Sequence, residues 1–167
     1  MAPKRLIDRA GIILMLCVLK ACLAEDPSSF RSVDTLLPGL WVQDAPPPAP
    51  PTIDFRPDRS FEAFSSAIPG VLVADYTGNF WQASGVLAFR GTSSASGVRV
   101  QFVTFEIVES PSLSLRMTQI LDPFIIETVG VAAVSDMSAA EVQSALRRLD
   151  GLPIPENALG DSWTYSK

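Results

Sequence analysis

The sequence predicts a mainly β domain: an antiparallel meander forming a barrel or strongly curved sheet, with one C-terminal α-helix packed on it. Three observations predict it. Short apolar–polar alternations recur between turn residues from residue 38 onward. A single later segment, residues 139–149, has helical periodicity instead. The longest alternation, residues 98–109 ("VRVQFVTFEIVE"), changes phase midway, as a bent strand in a curved sheet would.

The elements follow in chain order. "PGLWVQ" (38–43) is a short strand candidate, with Leu36 and Leu37 as a docking point before it. "DAPPPAPPT" (44–52) favours extended polyproline conformation and spans two strands of one domain, because what precedes it is too small to fold alone. "IDFRPDRSF" (53–61) reads as a hairpin, with Ile53 and Phe55 alternating before Pro57-Asp58-Arg59 and Phe61 and Ala63 after it. "VLVADY" (71–76) is expected to end at a "TGN" turn, and "FWQAS" and "VLAFR" flank Gly85. In the long strand Val98, Val100 and Phe102 share one side and Val103, Phe105 and Ile107 continue out of step, predicting a β-bulge near 102–104. "LSLRMTQIL" places Leu113, Leu115 and Met117 inward, and "FIIETVGVAAV", apolar on both faces, is expected as a covered last strand bent at Gly130.

The helix carries both end signals. Ser138 and Glu141 form an S-x-x-E capping box, and Met137 and Val142 stand at the positions of a hydrophobic staple. Val142, Ala145, Leu146 and Leu149 make one apolar stripe, Arg147 and Arg148 occupy the last turn, and Gly151 and Pro153 stop the helix. Residues 155–167 read as a tail that Leu159 or Trp163 could pin.

The first 24 residues have the layout of an export signal. Lys4, Arg5 and Arg9 precede a short apolar core at 11–19, and small residues lead to a cleavage point after Ala24. That core is shorter than the roughly 20 residues a membrane-spanning helix needs. A second reading stays open: "LKAC" resembles a bacterial lipoprotein box, which would lipidate Cys22 and tether the domain to a membrane. Residues 25–36 read as a flexible segment, 37–154 as a single β-rich domain. Both cysteines, Cys17 and Cys22, lie in the signal, so the mature chain has no disulfide and depends on its core. The signal carries four basic residues against Asp8, a net +3; removing it turns the formal −5 of the chain into −8. That charge argues against nucleic acid and against electrostatic docking on anionic lipid.

Several stretches resemble a known family. "GLW" (39–41) is similar to the G-x-W of lipocalin-like proteins, the calycin barrels. "DFRPDRSFEAF" resembles the following hairpin of bacterial lipocalin-like domains, and "GNFWQASGVLAF" (78–89) resembles their later G-x-W … G-x-L hairpin. The resemblance covers most of residues 37–150 and includes a late helix. The chain departs from the family in lacking a T-D-Y motif and the arginine usually found near the closing strand. What the resemblance implies is a small apolar ligand or a structural role, with no single activity.

Chemistry is narrowed by what is missing. The chain has no histidine, and the mature part has no cysteine, which removes Ser-His-Asp and Cys-His machineries and zinc sites built on those residues. No P-loop, G-x-G-x-x-G or EF-hand loop occurs, so neither a cofactor nor a metal is expected. Asp54 and Asp58, with Asp75 and Glu106 behind them, are the carboxylates a glycosidase-type pair would draw on, but their placement suits turn and solvent roles better. "DYTGN" reads as a tight turn rather than a calcium loop. Trp41, Phe55, Phe61, Trp81, Phe89, Phe102 and Phe105 are the candidate ligand-binding residues, since all fall on strands and a barrel of about eight strands can hold one small ligand. The expectation is an exported, non-enzymatic domain that binds a small apolar molecule in the barrel concavity. The alternative is a cell-envelope protein-interaction or structural module with a filled core, as in inhibitor-like barrels.

Overall fold

A computed structural model describes residues 36–44, 52–64, 67–68, 71–72, 74–93, 95–109 and 111–167, all within the unit 33–167. The signal segment 1–24 with its cleavage point and Cys22, the segment 25–35 and most of the proline run lie outside the described residues.

Eight strands close into one barrel. In chain order they are β1 (Gly39–Gln43), β2 (Thr52–Phe55), β3 (Ser60–Phe64), β6 (Tyr76–Ala83), β7 (Val86–Ser93), β8 (Gly97–Val108), β9 (Ser114–Ile120) and β10 (Leu159–Ser166). Each pairs antiparallel with its sequence neighbour in the barrel, and β10 returns to β1. A small hairpin, β4 (Ala67–Ile68) with β5 (Val71–Leu72), is inserted between β3 and β6. Two helices, α1 (Asp122–Val129) and α2 (Ala139–Leu149), lie between β9 and β10. The predicted class, an antiparallel meander forming a barrel or strongly curved sheet with a helix packed on it, is observed, and of its two forms the structure takes the closed barrel.

Strand alternation sorts the side chains into two cores. Inside the barrel lie Leu37, Trp41, Phe55, Phe61, Phe80, Leu87, Phe89, Val103, Leu115, Met117 and Tyr165. Outside, Val86, Ala88, Phe102 and Ile120 are covered by Ile125 of α1 and the Val142, Ala145, Leu146, Leu149 stripe of α2. α2 is held where the sequence puts it. Ser138 Oγ accepts from Glu141 N, and the Glu141 carboxylate accepts from Ser138 N at 2.7 Å. Arg90 Nε, reaching out from β7, donates to Met137 O at 2.9 Å just before that cap. Arg148 Nη1 donates to Val129 O at 2.9 Å, placing a cation at the carbonyl end of α1.

Four elements differ from expectation. The β8 bulge is absent, for β8 pairs β7 and β9 without a register shift. Its phase change marks a change in which face is covered: Val103, Phe105 and Ile107 pack inside, Phe102 and Val100 outside under the helices. The "TGN" turn is also absent; β6 runs straight through it, with Gly78 opposite Gly91. "FIIETV" is helix rather than strand, started by Pro123 in its first turn and stopped by Gly130 at φ 77°. Residues 159–166 are no tail. They form β10, which pairs with both β9 and β1 and closes the barrel.

Candidate functional site

The opening hairpin resolves the first carboxylate candidates. Pro57 and Asp58 sit in a turn where Arg59 N donates to Arg56 O at 3.1 Å and Arg59 takes φ 69°. Asp58 Oδ1 accepts from Ser60 N at 2.9 Å and from Ser60 Oγ at 2.6 Å, and these bonds hold its pKa below the ordinary value. Asp54 and Glu62 face each other across the strands, and Arg56 bridges them at 3.4 and 2.7 Å. The Glu62 hydrogen bond is the main cause of the raised Arg56 pKa. These acids hold a corner on the outer face. Glu106 also stands outside, opposite Arg116.

The turn ends of β2–β3 and β6–β7 mark one end of the barrel, and this end is plugged. Trp41 is fully buried and donates Nε1–H to Leu37 O at 2.7 Å. Lys167 Nζ stands 5.1 Å from the Trp41 ring, donates to Leu36 O at 3.1 Å and also donates to Pro38 O. Partial burial lowers the Lys167 pKa. Gly39, at φ 125°, leaves room for this side chain: a Cβ there would lie 2.7 Å from Lys167 Cε. Phe55 and Phe80, in an edge-to-face contact at 5.1 Å, fill the next layer.

Toward the opposite end the filling stops. A cavity of about 380 Å³ is lined by inward residues of seven strands and by Asp75, which precedes β6. Its aromatic side is Phe61, packed edge-on against Phe89 at 5.3 Å and Tyr76 at 4.9 Å, with Ile53 and Ala63 beside it. Its other side is polar, formed by Arg99 and Gln101 of β8, Gln119 of β9, and Asp161 and Trp163 of β10. Tyr76 Oη–H donates to Arg99 O at 3.0 Å, tying the mouths of β6 and β8 together. Burial pushes the Tyr76 phenol up to about 12, and it raises Tyr165 as well. Both phenols are therefore protonated hydrogen-bonding groups at neutral pH. Trp163 Nε1 is buried in the wall without an acceptor among the described residues.

The predicted aromatic set is divided by this geometry. Phe61 and Phe89 line the cavity. Trp41 and Phe55 belong to the plugged end, and Phe105 packs half-buried on the interior core. Trp81 and Phe102 face outward into the layer under the helices, so they do not reach the cavity. Sequence reasoning missed the polar wall. Its signal was the odd-numbered parity of β8, which carries Arg99 and Gln101 to the same face as Val103. Among the described residues no cluster of three or more acidic, cysteine or histidine side chains could hold a metal ion. Compared with family models, with curated proteins and with solved structures, the chain matches none.

Proposed function

We propose that this protein is an exported, non-enzymatic barrel that binds one small molecule in its open end. The observation that supports this is the cavity. A barrel of eight strands can fill itself with side chains, as this one does around Trp41, Phe55 and Phe80, yet about 380 Å³ is left where Phe61 and Phe89 face a polar wall. That volume falls in the roughly 300–1,000 Å³ range of small-molecule sites. The aromatic side supplies apolar contact and the mouth supplies orientation. A non-catalytic role is favoured because Asp54 and Asp58 are spent on the hairpin corner and burial keeps the cavity phenols protonated.

The lipocalin-like reading gains a specific point of support. Gly39 and Trp41 of the G-x-W sit at the plugged end, and the cation near the closing strand, where the family has arginine, is Lys167 at 5.1 Å from the ring. Export rests on residues 1–24, with soluble release after Ala24 or anchoring at Cys22 as its two forms. An intact-mass measurement on the protein from its own cells distinguishes them, since a chain beginning at Glu25 differs from a lipidated chain beginning at Cys22.

Native mass spectrometry of the protein purified from its own cells tests the binding role. A bound small molecule released on activation is the expected result. The competing reading is an envelope interaction module without a ligand, favoured by the densely filled plugged end. An empty barrel that instead copurifies stoichiometrically with an envelope protein establishes it.

A further inference from the structure

The cavity has two unlike sides, and the polar one has a chemical preference. Strands β8, β9 and β10 are neighbours, so Arg99, Gln101, Gln119 and Trp163 present hydrogen-bond donors from one continuous wall. Arg99 is the one basic side chain among the described residues of that cavity. The other arginines near the barrel do not serve the cavity: Arg56 bridges Asp54 and Glu62, Arg90 donates to Met137 O, Arg59 lies over the Phe80 ring, and Arg116 stands on the outer face opposite Glu106.

Two acids share the mouth and must be weighed. Asp75 already has an interaction partner. Asp161 lies on β10 beside Gln119, which pairs with Val103, so it stands two strands across and four residues along β8 from Arg99, about 16 Å from its backbone at ordinary strand spacing. No described residue forms an ion pair with the Arg99 guanidinium. Its planar fork suits a carboxylate, while the facing side, Ile53, Phe61 and Phe89, suits a hydrocarbon tail.

We infer that the ligand class is a carboxylate-bearing amphiphile, its tail against Phe61 and Phe89 and its carboxylate received by Arg99, with Gln101, the next inward residue of β8, beside it. This rests on the small-molecule reading above. A ten-carbon tail suits the cavity, because ten carbons take on the order of 300 Å³ if each occupies about as much space as a water in the liquid.

The experiment is a calorimetric titration of the full mature protein near pH 7.5 with decanoate, 1-decanol and decylammonium. Decanoate should bind at least about tenfold more tightly than decanol, the factor expected of a hydrogen bond to a charged group. Arg99→Gln should bring decanoate to the level of decanol and leave decanol unchanged. Arg116→Gln, which removes the same charge from the outer face of β9, should leave the preference intact. Arg99 is exposed, so both variants should fold; Arg99→Lys, retaining charge without the fork, should keep only part of the preference. Equal binding of decanoate and decanol, a preference for decylammonium, or a decanoate preference that survives Arg99→Gln overturns the head-group assignment and leaves the cavity reading standing. Failure of all three compounds to bind overturns the cavity reading and this inference with it.

Discussion

Replacing Gly91 by alanine should destabilise the barrel by about 3 kcal/mol, although the change adds one methyl group. Gly91 pairs directly with Gly78 across β6 and β7. A Cβ at Gly91 would sit 2.4 Å from Thr77 O and 2.7 Å from Tyr76 Cε2. The first contact is about 1 Å inside ordinary van der Waals distance, and its partner is backbone. Thr77 cannot retreat alone, because β6 is held by β3 on its other side through Glu62 and Ala63. Relief requires the two strands to part locally, losing one or two ladder hydrogen bonds at about 1 kcal/mol each and leaving overpacking strain of about 1–3 kcal/mol. The Tyr76 ring must also move, and with it the bond to Arg99 O at the cavity mouth. Gly85→Ala is the comparison. Gly85 has φ 76° but nothing near its missing Cβ, so only the left-handed conformation is penalised, by about 1–2 kcal/mol. Urea unfolding followed by tryptophan fluorescence measures both. With a slope near 2 kcal/mol/M, Gly91→Ala should lower the midpoint by about 1.5 M without changing the slope. A Gly91→Ala cost within 0.5 kcal/mol of zero, or below that of Gly85→Ala, would refute the argument that these glycines exist for strand approach.

Other outcomes follow from the same structure. Raising pH from about 10 to 12 should cost up to about 2 kcal/mol through Tyr76: its folded pKa is raised, so its contribution is whole below the unfolded value and lost as pH climbs through the folded one. Thermal unfolding across that range should therefore fall less steeply in Tyr76→Phe than in the parent. Ser138→Ala should cost about 1 kcal/mol by removing the α2 cap, read as a lowered urea midpoint, while Ser135→Ala, outside the cap, should cost far less. Lys167→Met keeps the alkyl stem but loses the cation over Trp41 and two carbonyl contacts; a loss of about 1–2 kcal/mol and a shifted tryptophan emission are expected.

How much of this was legible in the sequence depends on how local each determinant is. The α2 helix was readable because its capping box, staple and stop all lie within a few residues, from Met137 to Gly151. The β2–β3 corner was readable for the same reason: Pro57 and Asp58 act on their immediate neighbours. α1 carried a comparable but weaker signal, proline at the start and Gly130 at the end, which the apolar character of "FIIETV" masked. β10 was hidden by its role. Its outward residues Ser162 and Thr164 are polar, and its inward Asp161 stands at a wet cavity mouth, so only Trp163 and Tyr165 mark a buried face.

β8 shows why the cavity itself was harder to read. Alternation identifies two faces of a strand but not what covers each, and a hydrophobe that appears out of phase has two explanations. One is a bulge that rotates the strand; the other is a second layer that buries the opposite face. The second requires an element far away in sequence, here α2, whose stripe covers Phe102 across some forty positions of chain. Once that layer is known, the inward parity runs unbroken from Arg99 through Gln101 and Val103 to Ile107. The same rule then places an arginine and a glutamine inside a barrel, where hydropathy alone would have put them outside. Polar residues on an inward face need a partner, a solvent-filled space or a ligand. At this mouth the described protein atoms leave that space open, and on the inference above it is Arg99, rather than any of the seven aromatic candidates, that would give the cavity a preference among ligands.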